Sequence, residues 1–315
     1  MIYSVRHVTQ FAYEPAIRES VMEVRVQPRS EAQQRCLTFS LDSNPAAHIM
    51  IYRDHLGNTV HHFDIPGRHS QLKITAQALV EVSPPPQIAQ AGTWEELDAR
   101  IAEGDYWEML LPSQFARPTV LLLELARELK LERGENPLQT LLTLNRSLYD
   151  AFKYVPNSTQ VDSPIDDALR SRQGVCQDLS HIMIALTRQL RIPCRYVSGY
   201  LFHAKNERAD RSPEGATHAW VEALLPGPGW VAFDPTNNLT GSERHIRVAI
   251  GRDYADVPPT RGVYKGEAES ELSVTVVVLP AEAPLPEEIP PATVIRSKPL
   301  IPVGSIQYEQ QQQQQ

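Results

Sequence analysis

Apolar and polar side chains alternate with a period of two through most of the first 82 residues. The longest run contains Leu72, Ile74, Ala76, Ala78, Val80 and Val82, and shorter runs contain Met22, Val24 and Val26 and then Leu37, Phe39 and Leu41. Because successive side chains of a strand point to opposite faces of its sheet, this pattern predicts strands with one buried face. Turn signals at Gly57-Asn58 and Pro66-Gly67 favour hairpins between the runs. We therefore predict an all-β, sandwich-like domain over residues 1–83, ended by the prolines that follow Ser83.

The pattern changes to a helical period after residues 84–118, which we interpret as a linker and connecting segment. Apolar spacings of three and four predict helices over residues 121–129, 136–152, 164–169 and 174–190. Asn136 is a good N-cap for the second of these helices, and Pro137 suits a first helical turn. Strand patterns follow at residues 195–202, 217–225, 230–234 and 271–279. Helices followed by a mostly antiparallel sheet predict an α+β domain over residues 119–280.

The last residues, 281–315, have the composition of a disordered tail. Seven prolines lie between positions 280 and 302, and the chain closes on six glutamines, Gln310 to Gln315. Such a segment cannot bury enough apolar surface to offset the entropy of ordering it.

Charge and cysteine content restrict the partners and the compartment. The 315 residues carry 30 basic and 38 acidic side chains, and the formal charge of -8 disfavours nucleic acid and anionic membranes as partners. The three cysteines are widely spaced, which argues against a disulfide framework and favours a reducing compartment. The sequence has no export signal or apolar span, so we expect a cytoplasmic protein. It leaves the oligomeric state open.

Cys176 is the candidate nucleophile, because the pattern places it in the first turn of the helix over residues 174–190. Unpaired N–H groups and the macrodipole at a helix N-terminus favour a thiolate, and the N–H of Cys176 could donate to an oxyanion. Gly174 lets a substrate carbonyl approach the backbone closely. A buried structural cysteine is an equally good account of this position alone. Cys36 and Cys194 lack such a setting, and we interpret both as structural.

His218 is the candidate base, and Asp234 is the candidate residue that orients its imidazole. His218 lies opposite the apolar face of its strand, and Asp234 ends the next strand just before Pro235. A hairpin loop with an even number of residues would place Asp234 opposite Val221 and pointing away from His218. An odd loop would place it opposite Trp220 and diagonal to His218, within reach of the ring. Alone, each residue also has a structural interpretation, as a solvated strand histidine and as a turn-initiating Asp-Pro.

Together the three segments resemble the transglutaminase-like superfamily of cysteine enzymes, which has Gly-x-Cys, then His-x-Trp-x-Glu, then Asp-Pro-Thr. The matching segments here are Gly174-Val175-Cys176, His218-Ala219-Trp220-Val221-Glu222 and Asp234-Pro235-Thr236. The segments Tyr3 to Tyr13 and Gly251 to Tyr264 resemble the flanks of bacterial members. The resemblance covers about residues 1 to 280. It implies a papain-like α+β core, with Cys176 as nucleophile, His218 as general base and acid, and Asp234 as the orienting residue.

Four further residues are candidates for substrate binding: Tyr154, Gln173, Tyr200 and Trp220. Tyr154 and Gln173 are also candidates for the second oxyanion donor. For Tyr200 and His203 a core aromatic and a surface histidine are the simpler assignments. Asp178 and His181 are either structural or substrate-lining residues. Another group of histidines, His55, His61, His62 and His69, matches no ligand spacing, so we expect neither a metal nor another cofactor.

Three hypotheses about function follow. The first is a cysteine-dependent hydrolase of a peptide or protein amide, acting through a thioester. The second is an acyltransferase, such as a transglutaminase, that resolves the same thioester with an amine. The third is a non-catalytic module that binds peptides. Bacterial members of the superfamily are more often peptidases or amidases, so we favour hydrolysis.

Overall fold

The computed structural model describes residues 1–85, 92–204, 210–283, 293–297 and 306–310. Its first part consists of the strands β1 (Ile2–Ile17), β2 (Glu19–Val24), β3 (Gln34–Asn44), β4 (Met50–Arg53), β5 (Thr59–Ile65) and β6 (His69–Val82). Buried and more exposed residues alternate along β2 and β6 and through most of β1, as the period-two pattern predicts. The N-terminal region is therefore β-rich, as expected.

The middle of the chain contains the helices and a second group of strands. The helices are α1 (Trp94–Glu103), α2 (Trp107–Leu110), α3 (Val120–Glu128), α4 (Pro137–Ala151), α5 (Ile165–Ser171) and α6 (Cys176–Gln189). The strands are β7 (Lys153–Tyr154), β8 (Gln173–Gly174), β9 (Cys194–Leu201), β10 (His218–Leu225), β11 (Gly229–Asp234), β12 (Leu239–Thr240) and β13 (His245–Gly251). Asn136 caps α4 as predicted, because its side-chain oxygen accepts from the N–H of Gln139 at 2.9 Å. The α+β fold class is confirmed.

Four later strands complete the β domain: β14 (Thr260–Lys265), β15 (Glu269–Pro280), β16 (Thr293–Ser297) and β17 (Ile306–Gln310). They join the N-terminal strands in two five-stranded sheets, ordered β16-β15-β1-β6-β3 and β17-β14-β2-β5-β4. Strand β1 lies between β6 and β15 and is antiparallel to both. The α+β domain, with its helices and the strands β7 to β13, is thus inserted between the first six strands of the β domain and the last four.

The domain boundaries differ from the predicted ones in three places. Strands β14 and β15 belong to the β domain and not to the catalytic domain predicted over residues 119–280. Their alternation predicts a strand, but the period alone cannot tell which sheet a strand joins. The predicted linker, 84–118, contains α1 and α2. Helix α1 starts at a capping box, in which Thr93 and Glu96 each accept from the other's N–H.

The predicted disordered tail, 281–315, contains β16 and β17. Each pairs with a strand, β15 and β14 respectively, that would otherwise leave a row of backbone groups unpaired at its sheet edge. The rest of that prediction, over 284–292, 298–305 and 311–315, lies outside the described residues.

Helix α6 lies against a five-stranded sheet ordered β12-β11-β10-β9-β13. Leu179 and Ile182 of the helix and Ala219 and Val221 of β10 are fully buried in one apolar core. A helix buried around nearly its whole circumference is held by packing more than by helix propensity. This packing fixes the N-terminus of α6, and with it Cys176, beside the sheet that holds His218.

No helix in the described part of the chain is both long and apolar enough to cross a membrane.

Candidate active site

Cys176 is the first residue of α6, and its side chain is buried at 1% exposure. The residue before it, Val175, is extended (φ -116°, ψ -178°), so the chain enters the helix sharply. A Cβ on Gly174 would lie 3.0 Å from side-chain atoms of Asp178, which is tighter than ordinary packing. Glycine at position 174 therefore lets the strand run close to the first turn of the helix.

Asp178 secures this turn. Its Oδ2 accepts from the N–H of Val175 at 2.9 Å and from the hydroxyl of Thr159 at 2.6 Å. Burial raises the pKa of Asp178 to about 6, although the two hydrogen bonds oppose that rise. Asp178 thus has a structural role at the helix start.

His181 lies one turn further along α6 and is also buried. Its Nε2 accepts from the N–H of Tyr254 at 3.2 Å, and its ring stacks on Phe115 at 5.4 Å. Burial lowers the pKa of His181 to about 4, so the ring is neutral near pH 7. Of the two interpretations that the sequence left open for His181, these contacts support the structural one.

The β10–β11 hairpin has the register that brings Asp234 to His218. Leu225 pairs with Gly229 and Val221 with Phe233, so the loop has three residues, 226 to 228. Asp234 then falls opposite Trp220 and diagonal to His218, which is the register predicted for an odd loop. The Nε2 of His218 donates to Oδ2 of Asp234 at 2.8 Å. The predicted contact between these two residues is confirmed.

The Asp234 carboxylate is 1% exposed and accepts several other hydrogen bonds. Its Oδ1 accepts from the backbone N–H groups of Thr236 at 2.9 Å and Asn237 at 3.2 Å. Its Oδ2 accepts from the side-chain amide of Asn237 at 2.8 Å and from Nε2 of His245 at 3.4 Å. Burial alone would raise the pKa of Asp234, but the charge and hydrogen bond of His218 hold it well below its ordinary value. Asp234 is therefore an ionised, fixed acceptor.

His218 contacts Asp234 on one side and the Cys176 thiol on the other. Burial would lower the pKa of His218, but the Asp234 charge, the hydrogen bond to Asp234 and the Cys176 thiol together raise it to about 10. Nε2 bonds to Asp234, and the other ring nitrogen, Nδ1, is buried without a hydrogen-bond partner among the described residues. The structure thus brings Cys176, His218 and Asp234 together, as predicted.

Tyr154 lies next to this group because β7 pairs in parallel with β8, placing Tyr154 beside Gly174. The Tyr154 hydroxyl is buried and has no hydrogen-bond partner among the described residues. Burial raises its pKa most, and the nearby Cys176, Asp178 and Asp234 raise it further. An unpaired donor therefore lies close to the sulfur. Gln173 precedes Gly174 in β8 and is half-buried.

Tyr200 lies at the interface with the β domain, and the substrate-binding role predicted for it is not supported. Its hydroxyl donates to the carbonyl of Val26 at 3.2 Å and accepts from Nδ1 of His7 at 2.9 Å. Its side chain is 1% exposed, and both hydrogen-bond partners belong to the β domain, so its hydroxyl is used in holding the two domains together. His203 lies beyond the end of β9 and contacts Asp210 at 3.0 Å.

Trp220 packs the imidazole of His218. Their ring centroids are 6.1 Å apart, and Trp220 lies edge-on to His245 at 5.0 Å. A Cβ on Gly199 would come within 2.6 Å of the Trp220 ring, so this glycine makes room for the indole. Trp220 is fully buried, and it positions the histidine ring rather than presenting a face to solvent.

His245, Asn237 and Ser242 are the residues of the site that the sequence pattern did not indicate. Nδ1 of His245 contacts the Ser242 hydroxyl at 3.1 Å, so its Nε2 carries the proton that points to Asp234. Alternation from His245 to Gly251 could have predicted β13, with a histidine at its start. The Asp-Pro-Thr-Asn order also places an amide within a turn of the carboxylate.

Among the described residues, His218, Asp234 and His245 form a group with ligand atoms within 4.8 Å of one another. Both Nε2 atoms already bond to Oδ2 of Asp234, so a cation there would have to replace these hydrogen bonds. The expectation that no metal is needed remains a prediction. His61 and His69 are buried in the β domain, away from this group.

Comparison with known proteins identifies the class. A family model described as the bacterial transglutaminase-like N-terminal region matches residues 3–81, and one described as the transglutaminase-like superfamily matches residues 124–235. The chain belongs to the transglutaminase-like superfamily. An uncharacterised protein of Mycobacterium leprae is 32% identical over 275 residues, covering 87% of this chain and 97% of that protein.

Two other proteins share the core. A protein-glutamine gamma-glutamyltransferase of Pseudomonas aeruginosa is 28% identical over 157 residues, which is 45% of this chain and 23% of that protein. The crystal structure of a candidate cysteine protease from Cytophaga hutchinsonii has a TM-score of 0.72 and 22% identity, covering 99% of this chain and 98% of that one. The similarity to the Cytophaga hutchinsonii structure shows that the two proteins share the fold of both domains.

Proposed function

We propose that this protein is a cysteine-dependent hydrolase of amide or peptide bonds. The observation that carries the proposal is the buried line of groups at the start of α6. His218 donates from Nε2 to Asp234 at 2.8 Å and lies against the Cys176 thiol, toward which, we infer, its buried Nδ1 turns. A base oriented by a carboxylate and in contact with a thiol is the arrangement that nucleophilic catalysis requires.

The chemistry follows from these positions. Because the pKa of His218 is raised to about 10, its ring is protonated at neutral pH, and we infer that Nδ1 already holds the proton of Cys176 when the sulfur attacks the amide carbonyl and a C–S bond forms. The developing oxyanion accepts from the N–H of Cys176 and, we infer, from the hydroxyl of Tyr154. His218 then gives its proton to the leaving nitrogen, the C–N bond breaks and a thioester remains. Water that has lost a proton to His218 attacks the thioester and releases the acid and the free thiol.

Access to the sulfur places a condition on this proposal. Cys176 is 1% exposed, so a neighbouring side chain must move when a substrate binds. Tyr154 is half-buried and lies beside Gly174 on the two-residue strand β7, so we infer that it is this covering group. A short strand with few contacts is suited to such a movement. Tyr154 therefore has two proposed roles, as oxyanion donor and as the side chain that covers Cys176, and separate variants can distinguish them.

The compartment proposed for this reaction is reducing and cytoplasmic. Cys36, Cys176 and Cys194 are all free thiols in the structure, which is compatible with that setting.

Thiol alkylation tests the proposal without knowledge of the substrate. At pH 6 to 7 we expect iodoacetamide to label Cys176 faster than Cys36 and Cys194, because burial raises the pKa of both other thiols, that of Cys194 to about 11. His218→Ala should abolish the difference. His203→Ala removes a histidine that pairs with another aspartate, Asp210, and is the matched control. Equal labelling of the three cysteines would instead favour a non-catalytic peptide-binding module.

A second experiment identifies the acyl donor. Incubation with peptide libraries followed by mass spectrometry should show an adduct on Cys176 that hydroxylamine removes, as expected of a thioester. Cys176→Ala should show none.

Acyl transfer to an amine is the second candidate function, because the Pseudomonas aeruginosa relative is a protein-glutamine gamma-glutamyltransferase. Both reactions share the thioester and differ in what resolves it. With a glutamine-containing peptide and a labelled amine, hydrolysis predicts that acid is released faster than label is incorporated. The reverse order would establish the transferase.

A further inference from the structure

A cavity of about 720 Å³ lies on the face of the β9–β13 sheet that carries Trp220, between the sheet, helix α4 and the start of β3. Its walls include Trp220, Trp230, Leu138, Leu142, Arg195 and Arg247. The volume is within the range of sites that bind small molecules. Neither Cys176 nor His218 lines it, although Trp220, Ser242 and His245 belong both to its wall and to the site described above.

One wall of the cavity is positively charged. Glu222 is fully buried behind it and accepts from two guanidinium groups, Nε of Arg195 at 2.8 Å and Nε of Arg247. These contacts, with burial opposing them, keep the pKa of Glu222 below its ordinary value. Glu31, an acid of the lining, pairs with Arg29 behind the wall at 2.8 Å. Together Arg29, Arg195 and Arg247 carry three positive charges against the two carboxylates of Glu31 and Glu222, which leaves one positive charge at this wall.

Within the described part of the chain, the guanidinium of Arg247 makes a hydrogen bond through only one of its three nitrogens. Its Nε bonds to Glu222, whereas its two terminal nitrogens have no hydrogen-bond partner among the described residues and are not buried. The backbone of Arg247 is fixed, because its N–H donates to Gln34 Oε1 at 2.7 Å and its carbonyl accepts from Gln34 Nε2 at 2.8 Å. A fixed fork of free N–H donors matches the two oxygens of a carboxylate.

Another part of the wall is apolar and aromatic. The guanidinium carbon of Arg195 lies 4.4 Å from the centroid of the Trp230 ring. Leu138 and Leu142 extend from α4 over the same space and are half-buried. The cavity therefore combines an apolar surface with one carboxylate-binding end.

We propose that this cavity binds a small apolar carboxylic acid, with its carboxylate on the terminal nitrogens of Arg247 and its hydrocarbon or aromatic part against Trp230, Leu138 and Leu142. The site goes beyond the proposed hydrolysis and does not depend on it. His245 joins the two sites, since it lines the cavity and bonds to Asp234 at 3.4 Å. A bound acid is thus one residue away from the carboxylate that orients His218.

Calorimetry and tryptophan fluorescence with 3-phenylpropionate and octanoate test the proposal. The matched uncharged probes are 3-phenylpropanol and octanol. Saturable binding of the acids, at least tenfold tighter than of the alcohols, is the expected result. Equal affinity for acid and alcohol, or no binding of either acid at millimolar concentration, would overturn the proposal.

Two variants locate the site. Arg247→Gln should weaken binding of the acids at least tenfold and leave the alcohols unchanged. Because it also removes a partner of buried Glu222, Leu142→Trp is the second variant, which fills the cavity from α4 and should abolish binding of both acids. The control is Arg35→Gln, at an exposed arginine that pairs with Glu81. Undiminished binding by folded Leu142→Trp would place the acid elsewhere and refute the proposal, and loss of hydrolysis alone would not bear on it.

Discussion

His218 donates from Nε2 to Oδ2 of Asp234 at 2.8 Å, although the two residues lie on different strands. The bond fixes the orientation of the imidazole ring and leaves Nδ1 free to serve Cys176 in the proposed reaction. It depends on a three-residue loop, in which Gly227 adopts a positive φ of 79° that favours glycine. The electrostatics of the site therefore depend on the register of a single hairpin.

Asp234→Asn should lower the pKa of His218 to below its ordinary value. Asp234 is the largest influence that raises this pKa to about 10, and without its charge the effect of burial prevails. An NMR titration with 13C-labelled histidine measures the change directly. We expect the wild-type ring to stay protonated up to about pH 10 and the variant ring to be neutral at pH 7. The turnover number of the proposed hydrolysis should fall by about 100-fold or more in this variant.

Asp210→Asn is the control for that titration. Asp210 pairs with His203 at 3.0 Å, so the variant removes a similar histidine–carboxylate contact elsewhere and should leave His218 unchanged. If the His218 ring of the Asp234 variant still titrates above pH 9, Asp234 does not set its pKa.

Two substitutions of Tyr154 separate its proposed roles as oxyanion donor and as cover. Tyr154→Phe keeps the ring but removes the hydroxyl, so a peptide aldehyde, whose adduct carries an oxygen at the oxyanion position, should bind about 10-fold more weakly or worse. Alkylation of Cys176 by iodoacetamide needs no such donor and should be unchanged. Tyr154→Ala should in addition speed alkylation by a bulky maleimide. Identical behaviour of the phenylalanine variant and the wild type toward the aldehyde would remove Tyr154 from the oxyanion site.

His245→Gln should weaken the support of Asp234 without removing it. One long hydrogen bond of 3.4 Å is lost while the contacts from Thr236 and Asn237 remain. We expect the pseudo-first-order rate of Cys176 alkylation at pH 7 to fall about two- to tenfold, as suits a single hydrogen bond. Ser242→Ala is the milder companion, since it removes the partner of Nδ1 only. A full loss of reactivity in His245→Gln would mean that the ring contributes more than positioning.

Asp178 should make the protein less stable as the pH rises. Its folded-state pKa, raised by burial to about 6, lies above the unfolded value, so the folded state binds the proton more tightly. The stabilisation of the folded state by the bound proton of Asp178 is complete below about pH 4 and is lost as the pH rises through 6. Asp178→Asn keeps an oxygen acceptor for Val175 and Thr159 but does not titrate.

Urea denaturation measures this difference. Between pH 4 and pH 7 the free energy of unfolding of the wild type should fall by about 3 kcal/mol relative to Asp178→Asn. A difference between the two proteins that does not vary with pH would contradict the raised pKa.

Local patterns were sufficient to predict the elements near the site. The cap at Asn136, the start of α6 near Cys176 and the strands that hold His218 and Asp234 all depend on interactions within a few residues. The pairing of His218 with Asp234 could be reduced to a choice between two registers, because the period of a strand is two.

The remaining features depend on contacts between residues distant in the sequence. Gln34 meets Arg247 across 213 positions, and Tyr200 reaches His7 across 193. No period or motif records which sheet edge meets which strand, so β14 and β15 could not be assigned to the β domain. Tyr200 was likewise indistinguishable from a cleft residue until its partner in β1 was known. His245 was missed because its role comes from Asp234, a neighbour on another strand.

The placement of β1 between β6 and β15 has a consequence for synthesis of the chain. During translation β1 leaves the ribosome long before β15, residues 269–280. The backbone groups on one edge of β1 are therefore unpaired while the whole inserted domain is synthesised. The inserted domain is also connected at both ends to the β domain, through β6 in one sheet and β14 in the other. Deleting the residues after 260 would therefore destabilise the N-terminal sheets first, although they are far from the deletion in sequence.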